Sequence, residues 1–339
     1  MAEMFHIAEW YGHPFLDLSN EDRVRLAGHK VGRAALTKVE ADRLVVLEEK
    51  AAAGPLAARE ADRLDVLRGK LAEQQRREMP CPFRSGPFPV CNKPNGICSL
   101  MIYNDDDGEV RPIDGERGKI RALCPFRLHA AGDVFRQVGE LLLDDPTPAL
   151  VGEVGFLESV GSLDSDEGED VGRIDMIMVK SNSPEGHPME WCAAEVQAVY
   201  FSGAEMAIET RHILDTGGVL SMPQRKRRPD YRSSGVKRLM PQLQTKIPTL
   251  RRWGKKMAVI VDVPFFMSMG AMRDIDDQSN ADIAWILVDF VRDEGAARFD
   301  AVIDRVIYTT LESAIEGLTG GVPVSKDEFE RRIRTKLLL

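Results

Sequence analysis

The sequence predicts an α/β fold: a central mixed sheet flanked by helices, carrying a small four-cysteine module and a helical hairpin. Three observations predict it. From residue 149 onward, apolar runs of strand length alternate with helical patterns. Cys81, Cys91, Cys98 and Cys124, four of the five cysteines, fall in a 44-residue window rich in Pro, Gly, Asn and Asp. A pattern, Val39-Glu40-Ala41-Asp42-Arg43-Leu44, recurs twenty residues on as Arg59-Glu60-Ala61-Asp62-Arg63-Leu64.

In order, residues 5–36 mix aromatic and charged side chains, with a helix start near Ser19. Each copy of the repeat continues with an x-Val-Leu step, and Ala53-Gly54-Pro55 between them stops and restarts a helix. A hairpin over 37–77 follows, read as a peripheral insertion rather than an interaction arm. Residues 78–126 offer little material for a core of their own. A helix is expected from Arg127 to Leu143. Strands are expected at 149–157, 173–180, 189–200, 256–263, 283–291 and 301–309. Helices are expected at 203–214, 234–253, 309–318 and 325–338, the last opened by the capping box Ser325-Lys326-Asp327-Glu328.

The 339 residues are 43% apolar and 29% charged, ordinary for a globular protein. No apolar stretch approaches the roughly 20 residues that span a bilayer. The start, MAEMFHIAEWYGH, lacks the basic and apolar regions of a signal peptide, so a cytoplasmic protein is expected. Cysteines in that setting are not expected to form disulfides, and Cys192, in an apolar run, reads as a small core residue. The net charge of −9 excludes a surface coated in positive charge. The charge is polarised, however. Residues 225–256 hold twelve Lys or Arg against one acid, Asp230, whereas five of the seven residues from Asp164 to Asp170 are acidic.

Asp175 is the one carboxylate in the apolar run Ile174–Val179, where a buried charge needs a partner such as a cation. In Trp191–Val199 the strand period puts Cys192, Ala194, Val196 and Ala198 on one face, and Glu195 with Gln197 on the other. Twenty residues, with a Ser-Asn-Ser-Pro-Glu-Gly turn, separate Asp175 from Glu195 and suit two paired antiparallel strands. Two carboxylates on one face supply hard oxygen ligands for Mg²⁺. A Glu-x-Gln pair on a sheet face is by itself common, and the following helix gives it weight. Lys237, Arg238, Gln242 and Lys246 recur within ten residues, with Gln242 and Lys246 on one helix face. Pro241 would interrupt that helix unless the helix proper begins near Met240. The basic run, including Arg225, Lys226, Arg227 and Arg228, reads as a phosphate-contacting surface.

The cysteine spacing, C-x9-C-x6-C-x25-C, lacks paired C-x2-C knuckles. Its ends, Cys81-Pro82-Phe83 and Cys124-Pro125-Phe126, are near-duplicates, and a tetrahedral thiolate site for zinc or a single iron would hold so apolar-poor a segment together.

Together these motifs resemble the NotI-type restriction endonucleases. The resemblance rests on Ile7–His13; on Cys81-Pro82-Phe83, Cys91, Gly96–Ser99 and Cys124-Pro125 followed by Arg127; on Asp175 with Glu195-Val196-Gln197; and on Val236–Gln242 with Lys246. Ala284–Val288 adds a further segment. The resemblance implies a PD-(D/E)XK core, Mg²⁺ at Asp175 and Glu195, a structural iron on the four cysteines, and a homodimer acting on a palindromic duplex site. Glu153 falls where the family has a Gly-Glu-apolar strand and is a further candidate Mg²⁺ ligand. Gln197 stands where Lys is usual, and Lys246 or Lys237 would restore the positive charge. The hairpin and the acidic run depart from the family's pattern. The division expected is an N-terminal segment (1–36), the hairpin (37–77), the cysteine module (78–130) and the nuclease core (131–339).

The function so expected is that of a type II restriction endonuclease cutting double-stranded DNA to 5′-phosphate ends, with a cognate methyltransferase protecting host DNA. Two rivals stand beside it: a RecB-like repair or CRISPR-associated exonuclease with an iron–sulfur cluster, and a non-catalytic metal-stabilised DNA-binding module.

Overall fold

A computed structural model describes residues 3–29, 36–77, 79–86, 89–158, 170–181, 186–293, 295, 297–320 and 324–337. The chain opens with β1 (Met4–Trp10) and β2 (His13–Pro14), then α1 (Asn20–Gly28), capped as expected by the Ser19 hydroxyl accepting from the Asp22 amide. The repeat forms α2 (Lys38–Ala53) and α3 (Ala58–Arg77). Leu44, Leu47, Leu64 and Leu67, equivalent positions of the two copies, close a small core of their own with Leu36 and Leu71. A capping box at Thr37 and Glu40 starts α2.

The cysteine-bearing segment is more regular than its composition suggests. It holds β3 (Ile97–Asp106), β4 (Glu109–Pro112) and β5 (Arg121–Ala122). β1 runs antiparallel to β3, so residues far apart in sequence build one sheet in the order β2-β1-β3-β4, with β5 against β3. Neither β1 nor β3 was expected, because each draws its stability from the other.

The helix expected over 127–143 is two helices, α4 (Pro125–His129) and α5 (Asp133–Leu143). Ala130, Ala131 and Gly132 between them all have positive φ, and left-handed backbone ends a helix. Next come β6 (Ala149–Glu158), β7 (Asp170–Val179) and β8 (Trp191–Val196), then β9 (Phe201–Gly203), α6 (Met206–Asp215), β10 (Arg227–Pro229) and α7 (Tyr231–Ser234). A π-helical turn, Gly235–Leu239, leads into α8 (Met240–Arg252), whose first turn contains Pro241, as the sequence required. The remainder is β11 (Met257–Asp262), α9 (Val263–Met267), β12 (Ile283–Asp293), β13 (Arg298–Thr309), α10 (Leu311–Thr319) and α11 (Lys326–Leu337).

Among the described residues six strands form the central sheet, in the order β13-β12-β11-β8-β7-β6. β8, β11 and β12 are parallel; the remaining pairings are antiparallel, so the sheet is mixed as expected. One face packs on α4 and α5 through Leu128, Val134, Phe135 and Val138, with Cys192 and Ala194 beneath them. The other packs on α8 and α10 through Leu243, Ile247, Leu250, Ala314 and Leu318. Both faces are covered, and β11 is accordingly buried along its whole length. The acidic run 164–169 and most of the turn between β7 and β8 lie outside the described residues. No helix among the described residues is long and apolar enough to cross a membrane.

Candidate active site

The register of the sheet brings the acidic residues into one row. β7 pairs with β8 as Met176↔Ala194 and Ile177↔Ala193, and one further step sets Asp175 against Glu195. On the other side, Gly152↔Met176 and Val154↔Ile174 bracket Glu153 opposite Asp175. Side-chain alternation puts Asp175, Ile177, Ala193 and Glu195 on the face covered by α8, because Ile177 and Ala193 belong to that core.

Lys246 reaches the row from α8. It is fully buried, its stem level with Leu243, Ile247 and Leu250. Its Nζ donates to Glu195 Oε2 at 2.7 Å and lies 3.5 Å from Asp175 Oδ1. One ammonium thus serves two carboxylates from adjacent strands. Burial pushes the Glu195 carboxyl up to about 7 against the pull of Lys246, and the neighbouring Asp175 adds to the rise. The expectation that Asp175 is the buried member is corrected. Its side chain is 60% exposed, and Glu195, 4% exposed, carries the burial instead. Asp175 lies on β7, next to the edge strand β6.

Gln197 follows β8 rather than lying in it, and its amide donates to the neighbouring Ala198 carbonyl at 2.6 Å. Glu153 has left-handed backbone (φ 51°), and its side chain is 3.7 Å from Arg173 rather than beside Asp175. Lys237 and Arg238 are exposed on the π-helical turn, with Arg238 over the Tyr200 ring. Gln242 is exposed one turn before Lys246.

The basic run is not one surface. Arg225, Lys226 and Arg228 are exposed. Arg227, expected among the phosphate contacts, is buried against Glu209 at 2.9 Å and donates to the carbonyls of Ala204 and Glu205. Glu209 also accepts from the amides of Gln224 and Arg225, so this buried acid on α6 shapes the loop that presents the basic side chains. It was missed because its partners lie 15 to 18 residues ahead, beyond any helical spacing. Arg251 is likewise spent on Asp282 and Glu312, and Lys256 on backbone carbonyls including that of Ala281.

The four cysteines of the module are buried and free, as is Cys192. They gather around one region: Cys81 and Cys91 flank the Pro80↔Val90 bridge, the Cys124 amide donates to the Cys98 carbonyl, and Lys93 Nζ, two residues after Cys91, donates to the Leu123 carbonyl beside Cys124. Burial pushes the thiols of Cys91, Cys98 and Cys124 up, and the backbone amides of Phe126 and Arg127 pull the Cys124 thiol down. Tyr11 and Gly12 cover the module. The Tyr11 amide donates to Gly96, the Trp10 indole to Asn95, and Gly12 (φ 84°) lies so close to Pro82 that a Cβ would stand 2.2 Å from its ring. Among the described residues, however, no three His, Cys, Asp or Glu side chains are disposed to hold a metal ion, at the cysteines or at the carboxylate row.

Behind the module lies an ion pair that sequence reasoning did not find. Arg127 Nε donates to both oxygens of Glu9 at 2.9 and 2.7 Å, and both residues are fully buried. The Ser99 hydroxyl donates to the same carboxylate at 2.5 Å. Arg127 also stacks on Phe83 and Phe290 and donates to the Phe299 carbonyl, joining the N-terminal strand, the cysteine module and the central sheet.

Compared with known proteins, the chain matches the family model described as Restriction endonuclease NotI over residues 65–301, well over half its length. No individual curated protein matches it.

Proposed function

The chain belongs to the NotI restriction endonuclease family and is a site-specific deoxyribonuclease, and from that premise we infer that Asp175, Glu195 and Lys246 form the centre that hydrolyses DNA, on a core of the PD-(D/E)XK type. The observation that carries the reading is the single buried ammonium shared by two in-register carboxylates. It supports a site built for positive charge.

That chemistry fits magnesium. The donors are hard oxygens from two strands, and the pair already holds one cation. Magnesium, when bound, supplies Lewis-acid charge at the scissile phosphate. Asp175 and Glu195 would hold it, with Glu153, one strand away, as a third oxygen donor on rotation away from Arg173. Gln197 has no titrating group, so it serves as no base. Released from Ala198, its amide would orient the attacking water or a phosphate oxygen. Lys246, rather than Lys237, supplies the charge that Gln197 lacks. Arg225, Lys226, Arg228, Lys237, Arg238 and Gln242 are the proposed DNA contacts; Arg227 positions their loop.

The cysteines are proposed as ligands of one structural iron or zinc. Four free, buried thiols in one module support this, and the ion would have to rearrange them, since as they stand they are not disposed to hold it. Metal analysis of purified protein tests it: about one iron or zinc per chain is expected, lost in Cys98→Ser. The proposed enzyme is of type II, a homodimer cutting a palindromic duplex to 5′-phosphates, with a cognate methyltransferase as its protective partner.

Glu195→Ala tests the centre. Wild type with Mg²⁺ is expected to cut a circular plasmid into discrete fragments, and the variant to leave it intact. Cutting by the variant at the same sites and rate would remove the assignment. Progressive loss of linear ends without discrete fragments would favour an exonuclease.

A further inference from the structure

The buried lysine does more in this structure than line the site. Lys246 Nζ donates to Glu195 and faces Asp175, the same two carboxylates proposed for the metal. We propose that Lys246 is a built-in counter-cation: it holds the two carboxylates of the metal-free centre, and a divalent ion binds only by displacing the ammonium from Glu195. This rests on the reading of Asp175 and Glu195 as metal ligands and adds an order of events to it.

Three observations carry the inference. Glu195 and Lys246 are both almost without solvent, so in the absence of a metal each depends on the other for charge compensation. A lone ionised carboxylate at that depth would be costly, and a lysine on a long stem offsets it without any bound ion. Second, the lysine is tethered where it can yield. Its helix is fixed in the core by Leu243, Ile247 and Leu250, but the four-carbon stem has the torsional freedom to withdraw its tip. Third, Asp175 is open to solvent while Glu195 is not. An arriving ion therefore meets Asp175 first and competes with the ammonium for Glu195. Two cations on one carboxylate repel, and at the buried Glu195 that repulsion is weakly screened. Once displaced from Glu195, the ammonium would be a positive charge beside the row, free to meet a phosphate bound there. In this role Lys246 is a positioning residue, setting when the centre can take its metal.

The test needs no DNA and no turnover. Full-length wild type, Lys246→Met and Glu195→Gln are stripped with EDTA, and Mg²⁺ binding is followed by calorimetry and by the shift in thermal midpoint. Methionine keeps the stem and removes the charge. Lys246→Met is expected to lose midpoint in EDTA and to bind Mg²⁺ about tenfold more tightly than wild type, with a larger Mg²⁺-induced shift. Removing a merely structural lysine would not raise metal affinity, so equal or weaker Mg²⁺ binding by Lys246→Met overturns the proposal. Should Lys246→Met not fold without the ion, Lys246→Gln is read in the same way. Glu195→Gln is expected to abolish the Mg²⁺ response. A Mg²⁺ response unchanged in Glu195→Gln would instead overturn the centre itself, and the displacement with it.

Discussion

Glu9 and Arg127 show how much one buried pair holds in place. Removing one partner strands a charge with no solvent to receive it, which costs about 3–5 kcal/mol. We therefore expect Glu9→Gln or Arg127→Met each to lower denaturant stability by about that amount. The double variant should lose less than the sum of the two, since no charge is stranded. A loss under about 1 kcal/mol in both single variants would show that the pair holds little. Glu153 offers a different residue-scale test. Its left-handed backbone costs a non-glycine residue about 1 kcal/mol. Glu153→Gly should hold or raise the thermal midpoint, while lowering DNA cleavage if the carboxylate is a ligand. Full cleavage by a stable Glu153→Gly protein would remove Glu153 from the proposed set.

At the scale of elements, the hairpin of α2 and α3 closes its own leucine core, apart from the clusters that cover the central sheet. Most of it precedes the family match, which begins at Asp65 inside α3. Replacing residues 37–77 with a short Gly-Ser linker is expected to leave the unfolding midpoint of the remainder and its Mg²⁺-dependent cutting in place. An insoluble product would show that the hairpin supports the core. By contrast, Leu47→Ala should cost about 2–5 kcal/mol within the hairpin, because its side chain is fully buried there. The helix α8 was legible from the helical spacing of Gln242 and Lys246 and from Pro241. Its second proline, Pro248, lies inside the helix expected over 234–253 and follows the buried Lys246 by two residues. The break at Ala130–Gly132 was also hidden, since alanine is the strongest helix former. There the Ala131 amide reaches the Phe83 carbonyl beside the cysteine module, and tertiary contact overrides propensity.

For the whole molecule, two buried histidines set an acid limit. Burial pushes His6 down to about 3, helped by Arg227, Arg23 and His212; burial and Arg84 push His129 down to about 4. Both are neutral in the folded state, whereas unfolded histidine takes a proton near 6.5. Their contribution to stability is complete above about pH 6.5 and is lost as pH falls towards 4 and then 3, at about 1.4 kcal/mol per pH unit for each. His6 sits edge-on to Phe15 and Tyr103, with its Nδ1 unpartnered among the described residues. His6→Phe should therefore flatten the acid slope measured by urea unfolding between pH 6.5 and 4.5. An unchanged slope would show that His6 does not titrate on unfolding in that window.

The sequence by itself determined the mixed sheet from residue 149 onward, the hairpin, the start of α8 and the family, because periodicity, capping and turn residues act over a few positions. It also named Asp175, Glu195 and Lys246, since a carboxylate in an apolar strand and a lysine at helical spacing are local signals. Only the tertiary structure decided which acid is buried, that Lys246 rather than Lys237 meets them, that Arg227 turns inward to Glu209, and that β1 pairs with β3 across the hairpin. Each of these depends on partners distant in sequence. Burial and charge pairing are properties of the packed whole, and a strand's pattern shows which face a side chain takes but not what will stand opposite it.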